Sequence, residues 1–338
     1  MTKKQIDILL STGNFPEVTG QRKLVETHIS WVIVCDHFVY KIKKPIQYSF
    51  LDFSTLELRK YYCHKEIELN QRFAKDVYLK VLPIFKIQDY LAIGGTKGTI
   101  LDYAVKMRKM NPDKQMDVLL TKDKVTPTDI RNLAERIAQF HGNAKIIYKK
   151  NVLDIKQRFN DLVAEKKFLS ACFGIDKVGV IDHAIGTSNT FLDKNKKLLE
   201  NRLSSGFFRD CHGDLHSRNI FLLPTPQPFD CLEFNDDYRH IDVLNEIAFL
   251  CMDLDAFGKR ELSDLCIEHY NLKFPAMRTQ EECNFFIYYK CYRANIRAKV
   301  NSLRAKSASN EEEKKKALAE VKKYLDLMKS YLELLING

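Results

Sequence analysis

The hydrophobic pattern changes period several times along the 338-residue chain. Residues 1–20 read as a short helix followed by a Gly/Pro/Asn-rich turn. From Leu24, LVETHISWVIVCDHFVYKIKKP alternates and is rich in Val, Ile, Trp and Tyr, which predicts two or three hairpin strands with a turn at Asp36-His37. The period then lengthens. In DFSTLELRKYYCHKEIELNQRF, Ser54 with Glu57 predicts a capping box, and Leu58, Tyr62, Glu66, Leu69 and Phe73 fall on one helical face. Glu66 is thus a carboxylate in an apolar stripe, and a buried carboxylate needs a cationic partner. Residues 77–88 and 90–105 return to strand patterns around a Gly-Gly turn, and MRKMNPDKQ (107–115) breaks them like a hinge.

Beyond the hinge the chain reads as mostly helical. Thr126 as N-cap, Pro127 and Asp129 open a helix with Ile130, Leu133, Ile137 and Phe140 or His141 inward. Helical patterns continue through 152–205. Then come HGDLHSRN (212–219), a predicted strand NIFLL, a PTPQP turn, a predicted strand FDCLEF (229–234) and a helix over 242–256 for which Asp242 is the cap. Residues 311–336 place Leu318, Val321, Leu325, Met328, Leu332 and Leu335 at 3-4 spacing, a seam that packs on the body or forms a homodimer.

The length exceeds the roughly 250–300 residues one core serves, so two lobes are expected. A strand-rich piece with one helix, followed by a helical piece, makes this an α+β fold. The net charge of +10 is a solubility charge or favours an anionic partner. No nucleic-acid motif accompanies it, and no apolar run approaches the roughly 18 residues of a membrane span, so neither nucleic acid nor membrane is an expected partner. The nine cysteines are odd in number, form no C-x-x-C and lie partly in apolar runs, as reduced core thiols of a cytoplasmic protein do.

HGDLHSRN carries the chemistry. Asp214 and Asn219 are five residues apart, as in the kinase catalytic loop HRDxxxxN, where the carboxylate accepts the proton of an attacking hydroxyl and the amide oxygen holds Mg²⁺. A kinase also needs a strand lysine paired with a helix glutamate. VYKIK supplies Lys41, with Lys43 and Lys44 as lesser choices, and Glu66 is the carboxylate already noted. After one Pro-bearing hairpin, FDCLEFND offers Glu233, and Asp230 second, as a further metal ligand. That hairpin is short for an activation segment and no APE follows, which disfavours a protein substrate.

HGDLHSRNIFL and FDCLEFNDDYRHIDVLNEIAFLCMDLD resemble the aminoglycoside phosphotransferase/choline kinase superfamily. With ETHISWVIV, YKIKKPIQYSFLDFSTLELRK and YRANIRAKV the chain is similar to a bacterial branch called aminoglycoside phosphotransferase family enzymes, over roughly residues 20–305. The resemblance implies a bilobal protein-kinase-like fold: a small antiparallel-sheet N-lobe plus one helix (1–108), a hinge at about 104–111, and a larger helical C-lobe (109–338) holding the loop 212–219 and the segment 230–236. It implies Mg²⁺ and ATP or GTP, and phosphoryl transfer to a small-molecule hydroxyl. Asp214 would be the base. Asn219 and Glu233 or Asp230 would hold metal. Lys41, Glu66, His28, Ser30 and Met107 would bind nucleotide.

The pattern departs from the family's in two places. ETHISW stands where a glycine-rich loop would cover the phosphates, leaving His28 and Ser30 to act through side chains, and Glu233 replaces the usual Asp. No GxxxxGK[ST] occurs, so the second, P-loop domain of some relatives is not expected. Lys290, Arg293, Arg297 and Arg304 share a helical face, either solvated or an anion-binding wall in which Arg293 and Arg297 meet an acidic substrate. Two rival readings stand beside the kinase: an inactive nucleotide-binding protein of the same fold, and a metal hydrolase using His212, Asp214 and His216 as an H-x-D-x-H cluster.

Overall fold

A computed structural model describes residues 1–48, 50–88 and 90–337, the side chains of Asp176 and Asn337 excepted. In chain order the elements are α1 (Lys3–Thr12), β1 (Lys23–Glu26), β2 (Ser30–Val34), β3 (Phe38–Lys43), β4 (Gln47–Tyr48), β5 (Leu51–Asp52), α2 (Leu56–Asn70), β6 (Tyr78–Ile87), β7 (Tyr90–Ile93), β8 (Thr99–Arg108), α3 (Met116–Thr121), α4 (Pro127–Asn143), α5 (Asp154–Asn160), α6 (Lys166–Phe173), α7 (Ile175–Lys194), α8 (Lys196–Ser204), β9 (Phe208–Asp210), β10 (Ile220–Phe221), β11 (Gln227–Pro228), β12 (His240–Asp242), α9 (Val243–Ala256), α10 (Arg260–Lys273), α11 (Gln280–Lys306) and α12 (Glu311–Asn337). They divide into two compact units, 1–119 with 218–239, and 120–217 with 240–338.

The first unit is built on a six-stranded antiparallel sheet in the order β1-β2-β3-β8-β6-β7. In β3 the period of two sends Tyr40 and Ile42 into a core with Trp31, Ile33, Ile84, Ile93 and, from α1, Ile6 and Leu9. Lys41 and Lys43 therefore share the opposite face. Helix α2 buries Arg59, Cys63, Glu66, Leu69 and Asn70. Its N-cap is Thr55, whose side chain accepts from Leu58 N–H, one residue later than the predicted Ser54. Ser54 instead bonds the Asp52 carboxylate.

Segment 218–239 belongs compactly with this unit and not with the helical piece in which the sequence placed it. Gln115 bridges Phe221, and Leu222 N–H donates to Lys114 O. The predicted strand FDCLEF is irregular, and two of its amides are taken by side chains. Asp230 N–H donates to Tyr78 OH and Cys231 N–H to Asn70 Oδ1. Within this segment β10 pairs with β11.

The second unit is mostly helical. Asp242 caps α9 as expected, accepting from Leu244 N–H at 2.9 Å. Capping box Thr126–Asp129 opens α4, and His141 is the residue buried at its far end. In α12 the seam residues Val321, Leu325, Met328 and Leu332 are buried within the unit, where the helix packs mainly on α11. The basic face of α11 is not a solvated one: Lys290, Arg293 and Arg297 are all buried. Lys290 pairs with Asp255 at 2.5 Å, and Arg293 Nε donates to Asn245 Oδ1 at 2.7 Å. Only Arg304 of the four is exposed. All nine cysteines are free thiols, seven of them buried. No helix among the described residues is long and apolar enough to cross a membrane.

Candidate active site

In the first unit five charged side chains alternate in sign along a line: Asp230, Lys41, Glu66, Lys43, Glu233. Lys41 Nζ lies 2.7 Å from Asp230 Oδ1 and 2.8 Å from Glu66 Oε1. Lys43 Nζ lies 2.7 Å from Glu66 Oε2 and also meets Glu233 Oε1. Each oxygen of Glu66 thus holds one lysine. The strand period places both ammonium groups on α2, so the predicted Lys41–Glu66 pair forms and Lys43 joins it. The line runs from the interior outward: side-chain exposure is 0% for Lys43 and Glu66, 4% for Glu233, 13% for Lys41 and 43% for Asp230.

This arrangement shifts the titrations. Burial alone would lower both lysines, but Asp230 and Glu66 raise Lys41, and Glu233 and Glu66 raise Lys43, above the usual lysine range. Burial raises Glu66, yet the two ammonium groups outweigh it and bring that carboxyl down to about 2. For Glu233 burial wins, and Glu66 adds to it, so its carboxyl stays above the ordinary value despite Lys43.

Asn219, the expected metal ligand, closes a short 3₁₀ turn (Ser217–Asn219) and is 8% exposed. Its carbonyl accepts from Phe229 N–H at 2.9 Å, which ties the turn to the segment carrying Asp230. His28 is exposed in the β1–β2 connection, where Thr27 Oγ1 accepts from Ser30 N–H. Ser30 is wholly buried beside Lys43 in the strand register, so its hydroxyl is not offered at the hairpin surface. Met107, half-buried on β8, stands opposite Val39 and Tyr78.

In the second unit, Asp214 sits on a loop held at both ends by α9. Glu246 accepts from His212 N–H at 2.8 Å and Gly213 N–H at 2.6 Å. One turn pair further along the helix, Asp253 Oδ2 accepts from Ser217 N–H at 2.8 Å and Ser217 Oγ–H at 2.5 Å. Gly213, at φ +90°, takes the left-handed turn that presents Asp214. Arg293 adds a bond to the Gly213 carbonyl at 3.3 Å. The Asp214 side chain is 41% exposed, with His216 Nε2 3.4 Å from Oδ2. Burial raises its carboxyl, but His216, Arg297 and His212 outweigh that and hold it well below the usual carboxylate range. Asp214 is therefore an ionised acceptor at neutral pH.

Sequence reasoning missed Glu246, Asp253 and His141, whose Nε2 lies 2.9 Å from Glu246 and Nδ1 2.7 Å from Tyr270 OH. The signal was present: NEIAFLCMDLD sets carboxylates in an apolar run, as HKEIEL does around Glu66. The H-x-D-x-H side chains do not gather as ligands. His212 is buried and its Nδ1 accepts from Asp214 N–H at 3.3 Å. Among the described residues, the set that brings ligand atoms within 4.8 Å is His141, Cys211 and Glu246, all buried. Arg293 and Arg297, read as a solvated face or a substrate wall, are 6% and 9% exposed; Arg293 bonds the loop at Gly213 and α9 at Asn245, and Arg297 lies over the Tyr324 ring of α12.

The sheet unit and the helical unit are those of the protein-kinase-like fold. The chain aligns over its whole length with a choline/ethanolamine kinase family protein from Mesorhizobium loti, also over that protein's whole length, with a TM-score of 0.55 at 13% identity. It aligns over 92% of its length with 84% of a Plasmodium vivax ethanolamine kinase, with a TM-score of 0.50 at 9% identity. Uncharacterized proteins of Mycobacterium tuberculosis and Mycobacterium bovis are 29% identical over 285 residues, which is 82% of this chain. The chain spans about half (54%) of the length of these curated relatives. No family model matches it.

Proposed function

We propose that the chain is a phosphotransferase that moves the γ-phosphate of Mg²⁺-bound ATP or GTP to a hydroxyl of a small molecule. The observation that carries this reading is the Lys41–Glu66 pair at 2.8 Å with Glu66 fully buried, the lysine–glutamate pair on which kinases rely. Lys41 contacts the nucleotide phosphates, and Glu66 aims it. The oxygen donors Asn219, Asp230 and Glu233 suit a hard divalent cation. When bound, Mg²⁺ neutralises charge on the phosphate oxygens. Asp214, ionised on a braced loop, accepts the proton of the acceptor hydroxyl. Positioning and charge neutralisation supply most of the rate.

The acceptor's class is open to screening. The amino alcohols named for the structural neighbours belong in that screen beside acidic hydroxy compounds. A second reading, a nucleotide-binding protein without transfer, is favoured by the glycine-free β1–β2 connection and the buried Ser30.

Melting of the purified protein with Mg²⁺ alone and with Mg²⁺ plus ATP or GTP tests the site. A ligand at about 100 times its Kd adds roughly 2.7 kcal/mol, a readily measured shift. A shift without nucleotide turnover in any acceptor screen supports the second reading. No shift with either nucleotide overturns both.

A further inference from the structure

Three side chains of metal-ligand type that phosphoryl transfer does not touch meet in the second unit. His141 lies in the last turn of α4, Cys211 immediately precedes HGDLHSRN, and Glu246 lies in the first turn of α9. All three are 0% exposed, and a ring nitrogen, the sulfur and a carboxylate oxygen lie within 4.8 Å of one another.

Their surroundings suit a bound ion. His141 Nε2 and Glu246 Oε2 are 2.9 Å apart, and the other ring nitrogen lies 2.7 Å from Tyr270 OH, which fixes the ring. Cys211 is in no disulfide, and its thiol reaches the Ile241 carbonyl at 3.6 Å, a weak bond from a weak donor. Charge decides the occupant. A thiolate and a carboxylate beside a neutral imidazole carry two negative charges, so a divalent cation leaves the buried cluster with no net charge. Imidazole and thiolate select a borderline ion over Mg²⁺ or Ca²⁺, which take oxygen ligands. Tetrahedral zinc, at about 2.0–2.3 Å from N, O and S, sets its ligands about 3.3–3.6 Å apart, and shifts of about an ångström close the cluster to that spacing.

We infer that His141 Nε2, Cys211 Sγ and Glu246 Oε2 form a Zn²⁺ site behind the loop that carries Asp214. Zinc takes the place of the hydrogen bond between Nε2 and Oε2, and a water fills the fourth position. Cys211 releases its thiol proton to solvent. The imidazole keeps its one proton on Nδ1 and donates it to Tyr270 OH. Glu246 Oε1 still accepts from Gly213 N–H. The ion thereby ties α4, the loop and α9 together one residue ahead of His212.

The test is Co²⁺ binding by the full chain, with the ion added during refolding from urea so that burial does not block its entry. Cobalt in place of zinc reports four-coordination by its d–d bands and a cysteine ligand by a thiolate charge-transfer band in the near ultraviolet. Wild type is expected to hold one cobalt per chain, to show that band and to lose it when zinc is added. Cys211→Ala should lose the band and bind more weakly by over about 100-fold, beyond what an outer-shell change costs. Tyr270→Phe removes only the partner of Nδ1, so it should keep the band and weaken zinc by about 10–100-fold. Should Cys211→Ala fold poorly by circular dichroism, His141→Gln is the second variant, with a comparable loss of affinity expected.

Wild type without stoichiometric cobalt overturns the site. So does a thiolate band that survives in Cys211→Ala, as it would if the exposed Cys172 were the ligand. Either failure leaves the phosphotransferase reading standing, because none of its nucleotide or metal residues belongs to the cluster.

Discussion

Replacing Lys43 by Met tests the charge line without any ligand. The substitution removes the one cation that meets both Glu66 Oε2 and Glu233 Oε1 in a place with no solvent exposure. Glu66 keeps Lys41 on its other oxygen, but Glu233 is left buried without its partner ammonium. Removing one member of a buried ion pair costs about 3–5 kcal/mol, mostly the penalty of the stranded charge. For a cooperative unit of about 150–250 residues each kcal/mol lowers Tm by about 2–4 °C, so the loss should be about 6–20 °C. The double variant Lys43→Met/Glu233→Gln removes the stranded charge with its partner and should recover at least half of that loss, since replacing both members of a buried pair is often close to neutral. Thermal and urea unfolding of wild type, both single variants and the double variant form the cycle. A Lys43→Met protein within about 1 kcal/mol of wild type, or a double variant no more stable than that single one, would refute the account of Lys43 as a buried brace.

Four further outcomes are expected. Asp214→Asn should abolish transfer while keeping nucleotide affinity within about a few-fold, because it removes the proton acceptor and leaves the Lys41–Glu66 pair intact; full turnover would sink the assignment. Acid should destabilise the protein between about pH 4.5 and 2: Glu66 and Glu246 are each drawn from 4.5 down to about 2 in the folded state, so their contribution is complete above the unfolded value and is lost as pH falls through the folded one. A Tm that stays flat from pH 5 to 2.5 would contradict this. Met328→Ala, at a fully buried seam position of α12, should cost about 2–5 kcal/mol in urea unfolding. Since Val321, Leu325, Met328 and Leu332 of that seam are buried within the chain, light scattering should give the monomer mass of 39.4 kDa, and a doubled mass would contradict that expectation.

The strand-then-helix order and the Lys41–Glu66 pair were legible because each rests on local periodicity: period two put Lys41 inward on a strand, and period 3.6 put Glu66 on an apolar stripe. What escaped was set by partners distant in sequence. FDCLEF alternates like a strand, yet its amides go to Tyr78 and Asn70, more than 150 residues upstream. The basic stripe of α11 has the spacing of a solvated face, but Asp255 and Asn245 on α9 neutralise or bond it inside. Lys43 has the same strand parity as Lys41, and parity alone cannot rank two residues that both point inward. Their difference lies in which carboxylate of 230–236 each one meets, and that is fixed only once the segment has docked.

The two units use one device for different ends. Each sets carboxylates in the apolar face of a helix, α2 or α9, where only a strong partner makes burial tolerable. In α2 the partners are two ammonium groups, so Glu66 positions cations and its own charge is essential. Glu66→Gln keeps the shape and leaves Lys41 and Lys43 short of a counter-ion, which should weaken the hold on Lys41 specifically. In α9 the partners are mostly backbone amides, with a hydroxyl and one imidazole: Glu246 takes His212 and Gly213 N–H beside His141 Nε2, and Asp253 takes both donors of Ser217. These carboxylates fix a loop's path. Glu246→Gln puts an NH₂ group where an acceptor is needed, leaving one backbone N–H unsatisfied at about 1–3 kcal/mol. Because the affected amides flank Asp214, this variant should lower kcat more than it raises the nucleotide KM, whereas Glu66→Gln should act chiefly on the nucleotide. Reversal of that pattern would mean that α2 aims the base side of the reaction and α9 the phosphate side, contrary to the contacts each helix makes.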